Sequence, residues 1–200
     1  AFLEFMRTDP RFYYEDSDAG RAVWHADANR YIAGMRAKLP ELFITLPKAD
    51  VVVKAVEPFR EKSAGRAFYQ RPSLDGTRPG VFYVNTSELP TRTSVRMTAL
   101  YLHEAMPGHH LQAGLAQEDT SLPPTLRFAW NAGYGEGWAL YAEWLGHELG
   151  LYDDPVQHYG QLDMEIFRAV RLVVDTGLHA RGWSRERAVA YMLANTSLER

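Results

Sequence analysis

Apolar residues recur at helical spacing near the start of the chain and again over its second half, and they cluster in short runs between. That pattern predicts a helix, a small sheet, and then helices to the end. Val23, Ala26, Tyr31 and Met35 form a loose stripe over a helix from Asp18 to about Leu39. Asp16, Ser17 and Asp18 are its candidate N-caps, and Pro40 ends it. Between Val51 and Asn85 the β-branched and aromatic runs Val51-Val52-Val53, Ala67-Phe68-Tyr69 and Val81-Phe82-Tyr83-Val84 are set apart by turn residues such as Leu74-Asp75-Gly76-Thr77. They read as a small antiparallel sheet. From Thr93 onward the pattern is helical. One helix runs from about Ser94 into the His103 region, and another from near Pro124 to about Leu149. Asp153-Asp154-Pro155 opens a long helix to Ala180, and Ser184 caps a last one. The expected fold class is α+β, mostly α: one helical domain over residues 1–200, with the sheet at 51–86 beside the first core helix.

Composition narrows the function. Apolar residues make up 46% and charged residues 24%, which is a globular composition with enough apolar mass for a core. No apolar run approaches the roughly 20 residues of a membrane helix, so no membrane insertion is expected. The formal charge of −3 carries no basic stripe, which argues against a nucleic-acid partner. The absence of cysteine removes disulfides, iron–sulfur clusters, thiol nucleophiles and Cys-ligated zinc, so any metal site must use His, Asp and Glu. The chain starts at Ala1 without a signal-peptide pattern, and reads as a processed chain or a fragment of a longer one. Cytoplasmic and exported locations are both compatible with it, and oligomeric state is not readable.

The chemistry concentrates at His103-Glu104-Ala105-Met106-Pro107-Gly108-His109-His110. It opens like the zinc motif H-E-x-x-H, in which two histidines one turn apart bind the metal and the glutamate polarises its water. Pro107 stands where the second histidine is expected. In an unbroken helix, His110 would share the face of His103. A Pro-Gly bulge would instead swing His109 into that place. His109 is the preferred ligand, with the other histidine placed behind it or facing the substrate. Hydrolytic zinc takes three protein ligands and an open position. The third candidate is Glu136, in Gly133-Tyr134-Gly135-Glu136-Gly137-Trp138, on a returning helix. Glu143, two turns on, would orient a ligand histidine. Arg171, Asp175 and His179 share one helical face. An arginine there could grip a carboxylate, and a histidine could hydrogen-bond an oxyanion. If Val81–Asn85 were an exposed edge strand it could pair with a peptide, with Asn85 and Thr86 lining the exit.

The runs His-Glu-Ala-x-Pro-Gly-His-His-Leu-Gln at 103–112, Glu-Gly-Trp-Ala-Leu-Tyr-Ala-Glu at 136–143, Arg-Leu-Val-Val-Asp-Thr-Gly-Leu-His at 171–179 and Arg-Pro-Gly-Val-Phe-Tyr-Val-Asn-Thr at 78–86 resemble the bacterial domain-of-unknown-function family 885, grouped with zincin-like metallopeptidases. The resemblance covers nearly the whole chain. It implies a zincin-like fold and a gluzincin-like site: zinc on His103, His109 and Glu136, with Glu104 as general base. Arg171 and His179 would be substrate or transition-state contacts, with Tyr141 and Arg168 as weaker candidates. Members of the family are typically much longer, so this chain reads as the catalytic portion. The resulting expectation is a zinc-dependent hydrolase of a peptide or related amide, of carboxypeptidase or dipeptidase type. The rival expectations are a helical binding module with an idle metal site, or a zinc hydrolase of non-peptide amides or esters.

Overall fold

Ser17 opens the first long helix by accepting a hydrogen bond from the Gly20 amide at 3.0 Å. The same capping chemistry recurs where the sequence offers it. Asp154 accepts from Val156 N at 2.9 Å ahead of Pro155, and Ser184 accepts from Arg187 N at 3.2 Å. Each cap satisfies an amide that the helix itself leaves open. The computed structural model describes residues 2–65, 67–87 and 89–198. Along the chain run α1 (Phe2–Thr8), α2 (Asp18–Lys38), β1 (Val51–Ala55), β2 (Ala67–Gln70), β3 (Gly80–Val84), α3 (Met97–Glu104), α4 (His109–Glu118), α5 (Pro124–Phe128), α6 (Ala132–Glu148), α7 (Pro155–Ala180) and α8 (Arg185–Asn195). The fold is mostly helical with one small sheet, as the hydrophobic pattern predicts. No described helix is long and apolar enough to cross a membrane.

The sheet corrects one expectation. It is mixed, not antiparallel: the strand order is β1-β3-β2, with β1 parallel to β3 and β2 antiparallel to it. The reason is burial. Gly80, Val81, Phe82 and Val84 are all buried, so β3 takes the centre, whereas β2 is only half-buried and lies at an edge. A parallel pair needs a crossover connection, and β2 with its flanking loops supplies it. β3 is therefore no exposed edge, and both of its sides are already paired. Asn85, just beyond it, is buried. Its amide donates to Glu61 O at 2.6 Å and its Oδ1 accepts from Ser87 N at 3.0 Å, which closes the loop between β1 and β2.

Helix α3 is the buried axis of the domain. Met97, Thr98, Ala99, Tyr101, Leu102 and His103 are all buried along it. It packs against α2, α6 and α7. The main core joins Tyr101, Leu102 and Met106 to Trp24, Ile32 and Met35 of α2 and to Phe82 of the sheet. A histidine at the end of such a helix is held by packing on several sides, which suits a site whose donors need fixed positions.

A second correction concerns the stretch from Pro124 to Leu149, which is two helices. Residues 129–131 leave the helix, and Asn131 caps α6 by accepting from Tyr134 N at 3.0 Å. The break brings the Trp130 ring across Gly135. A Cβ on Gly135 would lie 2.3 Å from that ring, so only glycine admits the contact.

Candidate metal centre

The turn between α3 and α4 builds the site. α3 ends at Glu104, a cis Met106–Pro107 bond follows, and α4 begins at His109. His110 N donates to Ala105 O at 3.1 Å and closes the turn. Gly108 presses on the end of α3: a Cβ there would sit 1.8 Å from His103 O and 2.3 Å from Leu102 O. Both are backbone atoms and cannot swing aside. From the other side, Trp138 Nε1 of α6 donates to Pro107 O at 2.8 Å. Gly108→Ala should therefore cost about 2–4 kcal/mol, in the upper range for single substitutions. Chemical denaturation measures it; a loss below 1 kcal/mol would mean the turn relaxes freely.

This turn sets the His103 and His109 rings 4.8 Å apart, centroid to centroid. Glu136, on the first turns of α6, completes the group. His103 Nε2 lies 3.3 Å from Glu136 Oε2, and His109 Nε2 lies 3.8 Å from Glu136 Oε1. One donor atom from each of the three residues falls within 4.8 Å of the others. Tetrahedral zinc with bonds near 2.0–2.1 Å holds its donors about 3.3 Å apart. The pair on Glu136 is already close to that spacing, and the set closes with shifts of about an ångström or less. Both histidines are buried, whereas Glu136 is half exposed.

The tautomer of His103 follows from what lies behind it. Its Nδ1 is 2.7 Å from Glu143 Oε1 and 3.0 Å from Arg168 Nη2; the shorter contact is to a carboxylate, which can only accept, and assigns the proton to Nδ1. Nε2 therefore presents a lone pair to Glu136 Oε2, another acceptor. Two acceptors facing each other at 3.3 Å have a place for a positive charge between them, a metal ion or a proton on Nε2. Arg168 Nη2, from α7, donates to the same Glu143 oxygen at 2.5 Å. Glu143 is fully buried, and this arginine is its charge partner.

His109 and His110 divide their roles sharply. His110 is completely buried. Its Nε2 donates to Ala49 O at 3.0 Å, and its Nδ1 accepts from the Tyr69 hydroxyl at 2.8 Å. Both ring nitrogens are spent, so it has none to give a metal. His109 Nδ1 is buried and has no hydrogen-bond partner among the described residues. Its ring is held by packing instead, stacked on Tyr69 at 6.5 Å and edge-on to Trp130 at 5.5 Å.

Burial lowers the pKa of both: His109 falls to about 4, through desolvation and then His103, and His110 also falls through desolvation. In the unfolded chain each histidine takes a proton near 6.5. As pH falls through the window from 6.5 to about 4, the unfolded state gains protons that the folded state refuses. The stability present above the window is lost within it. Thermal melts of metal-free protein should show Tm falling from about pH 7 to about pH 5, where most carboxylates stay ionised. A flat Tm across that range would contradict the burial of these rings.

Glu104 is half-buried at the end of α3. Burial raises its carboxyl pKa, partly opposed by His103 and reinforced by Glu136. A carboxyl raised in this way, next in sequence to His103, is a candidate for proton exchange at the site.

The other sequence candidates lie elsewhere. His179 and Asp175 are strongly exposed, 3.5 Å apart on the outer face of α7. Arg171 is exposed, with its guanidinium 5.6 Å over the Phe167 ring. Tyr141 is half exposed and stacks on Trp144 at 6.0 Å. No described contact joins these, or Asn85, to the three-residue cluster. Arg168 is more central than sequence reading made it. Its one sequence signal is a position one turn before Arg171 on an apolar helix, and its partner Glu143 is remote in sequence. Tyr69 and Trp130, the two walls of His109, carried no chemical signal.

No curated protein matches this sequence. Among solved structures, the chain resembles the "putative lipoprotein from Colwellia psychrerythraea", with a TM-score of 0.94 and 41% identity over 99% of this chain. It spans about a third of that protein, 34% of its chain. A family model described as bacterial protein of unknown function (DUF885) matches residues 1–200, and the chain belongs to that family.

Proposed function

We propose that this protein is a zinc-dependent hydrolase acting on a peptide or related amide bond. The observation that supports the reading most is the convergence of one donor atom each from His103, His109 and Glu136 within 4.8 Å of one another, beside a half-buried Glu104. Two imidazoles and a carboxylate are a zinc-type donor set with a further position open to water or substrate. When bound, zinc supplies an activated water and polarises the scissile carbonyl.

The chain's own residues do the rest. Glu143 and Arg168 fix the His103 ring, so that Nε2 faces the centre. Tyr69 and Trp130 confine His109 between their rings. Glu104 takes a proton from the attacking water and returns it to the leaving amine; its raised pKa helps the second half of that cycle. Arg171 and His179, farther along α7, would address parts of the substrate away from the reacting bond.

The test is metal content by elemental analysis, followed by a panel of blocked and free-carboxylate peptides. Glu104→Gln should keep the zinc and lower kcat by about 100- to 10,000-fold. Full activity in Glu104→Gln would remove its assigned role. Zinc uptake without turnover of any amide, or with turnover of esters alone, would favour the binding-module or esterase alternatives.

A further inference from the structure

We propose that the cavity between α4, α5 and the start of α6 receives an apolar side chain of the substrate, next to the bond held at the metal centre. This rests on the hydrolase reading above. The cavity has a volume of about 290 Å³, and its walls include Gln112, Ala116, Leu122, Leu126, Trp130 and Tyr134. That is room for roughly ten waters at ~30 Å³ each, or for one branched or aromatic side chain. It stands at the small end of ligand pockets, which run from roughly 300 Å³ upward.

Continuity with the metal centre ties the cavity to substrate. Trp130 is at once a wall of the cavity and the edge-on neighbour of His109, 5.5 Å from its ring. Gly135, also in the wall, directly precedes Glu136. A group in this cavity therefore lies one aromatic ring from one ligand and one residue from another.

Several of the polar groups around the cavity are already engaged. Gln112 Nε2 donates to Tyr134 O at 3.2 Å. Arg127 Nη2 donates to Gln117 O at 2.7 Å, and Arg71 Nη1 to Phe128 O at 3.2 Å. Most of the surface that lines the cavity is apolar. Leu126 and Trp130 are 65% and 56% exposed although packing fixes the Trp130 ring against His109 and over Gly135. A hydrocarbon side chain is the occupant that gains by covering them. A larger apolar cavity of about 400 Å³ lies between Trp24, Leu100 and Phe167, but none of the metal ligands or the rings touching them lines it.

Two titrations test the proposal. Calorimetry on zinc-loaded protein compares acetohydroxamate with phenylpropanohydroxamate, which chelate alike and differ in the apolar group. The phenyl compound should bind at least tenfold tighter, following burial of one aromatic side chain. Ala116→Trp, which fills the cavity, and Leu126→Asp, which charges its exposed wall, should erase that gain and leave acetohydroxamate unaffected. In metal-free protein, phenylpropanamide should shift the methyl resonances of Ala116, Leu122 and Leu126. Equal affinities for the two hydroxamates overturn the proposal. So does a gain that survives in folded variants, or methyl shifts centred on Leu100 and Met164. Failure to take up zinc would instead sink the hydrolase reading, and the amide titration would still decide whether the cavity binds an apolar group.

Discussion

Alanine at His103, His109 or Glu136 is expected to abolish stoichiometric zinc binding, whereas alanine at His110 leaves it in place. Zinc held by four protein ligands in small peptides is worth about 10–16 kcal/mol, so one ligand contributes roughly 3 kcal/mol. That is about a hundredfold or more in Kd. The contrast between the adjacent histidines is the informative part. His109 Nε2 faces Glu136 at 3.8 Å, whereas both nitrogens of His110 are bonded, to Ala49 O at 3.0 Å and to the Tyr69 hydroxyl at 2.8 Å. His110→Ala should therefore appear as lost stability, about 1–3 kcal/mol from the unsatisfied groups left behind, with about one zinc retained per folded chain. Elemental analysis and chelator competition on each variant measure the outcome. Zinc lost in folded His110→Ala and kept in His109→Ala would reverse the ligand assignment. Zinc kept in every variant would place the metal elsewhere.

The same turn shows what a sequence can and cannot declare. His103-Glu104 and the Pro-Gly insertion are local, and local geometry alone suggests that a bulge brings His109 round. Glu143 is readable because its helix is apolar nearly all round, so a carboxylate on it is expected to be buried and to need a partner; the same expectation fails for Glu136, which is half exposed and is legible only by its place on a returning helix. The caps at Ser17, Asp154 and Ser184 are equally local, and each forms as its residue type predicts. What stays hidden depends on pairing across distance. Three short apolar runs do not say which one sits in the middle, and with β3 central the β1 pairing becomes parallel. The break before α6 depends on Trp130 finding Gly135, a contact invisible in hydrophobic periodicity. Arg168 looks like one more charge on α7 until Glu143, from another helix, is found 2.5 Å away. Arg171, Asp175 and His179 do share a face as their spacing implies, but that face is exposed, which periodicity alone does not decide.

Glu143→Ala should be the most damaging single change outside the metal ligands. The carboxylate is fully buried, and its Oε1 accepts from His103 Nδ1 at 2.7 Å and from Arg168 Nη2 at 2.5 Å. Removing it leaves the Arg168 guanidinium, itself mostly shielded from water, without its counter-charge. Breaking a buried pair in this way costs about 3–5 kcal/mol. The same substitution frees the His103 ring to turn and to move its proton to Nε2, the atom that faces Glu136. Loss of such a supporting carboxylate weakens metal binding by about 10- to 100-fold. Glu143→Gln separates the two effects. Its amide oxygen still accepts from His103, so the tautomer and most of the zinc affinity should survive, while the charge that balances Arg168 is gone and stability still falls. Denaturation midpoints and zinc competition on both variants distinguish the cases. If Glu143→Ala melts like the parent and binds zinc as tightly, the Glu143–Arg168 pair neither holds the fold nor orients His103.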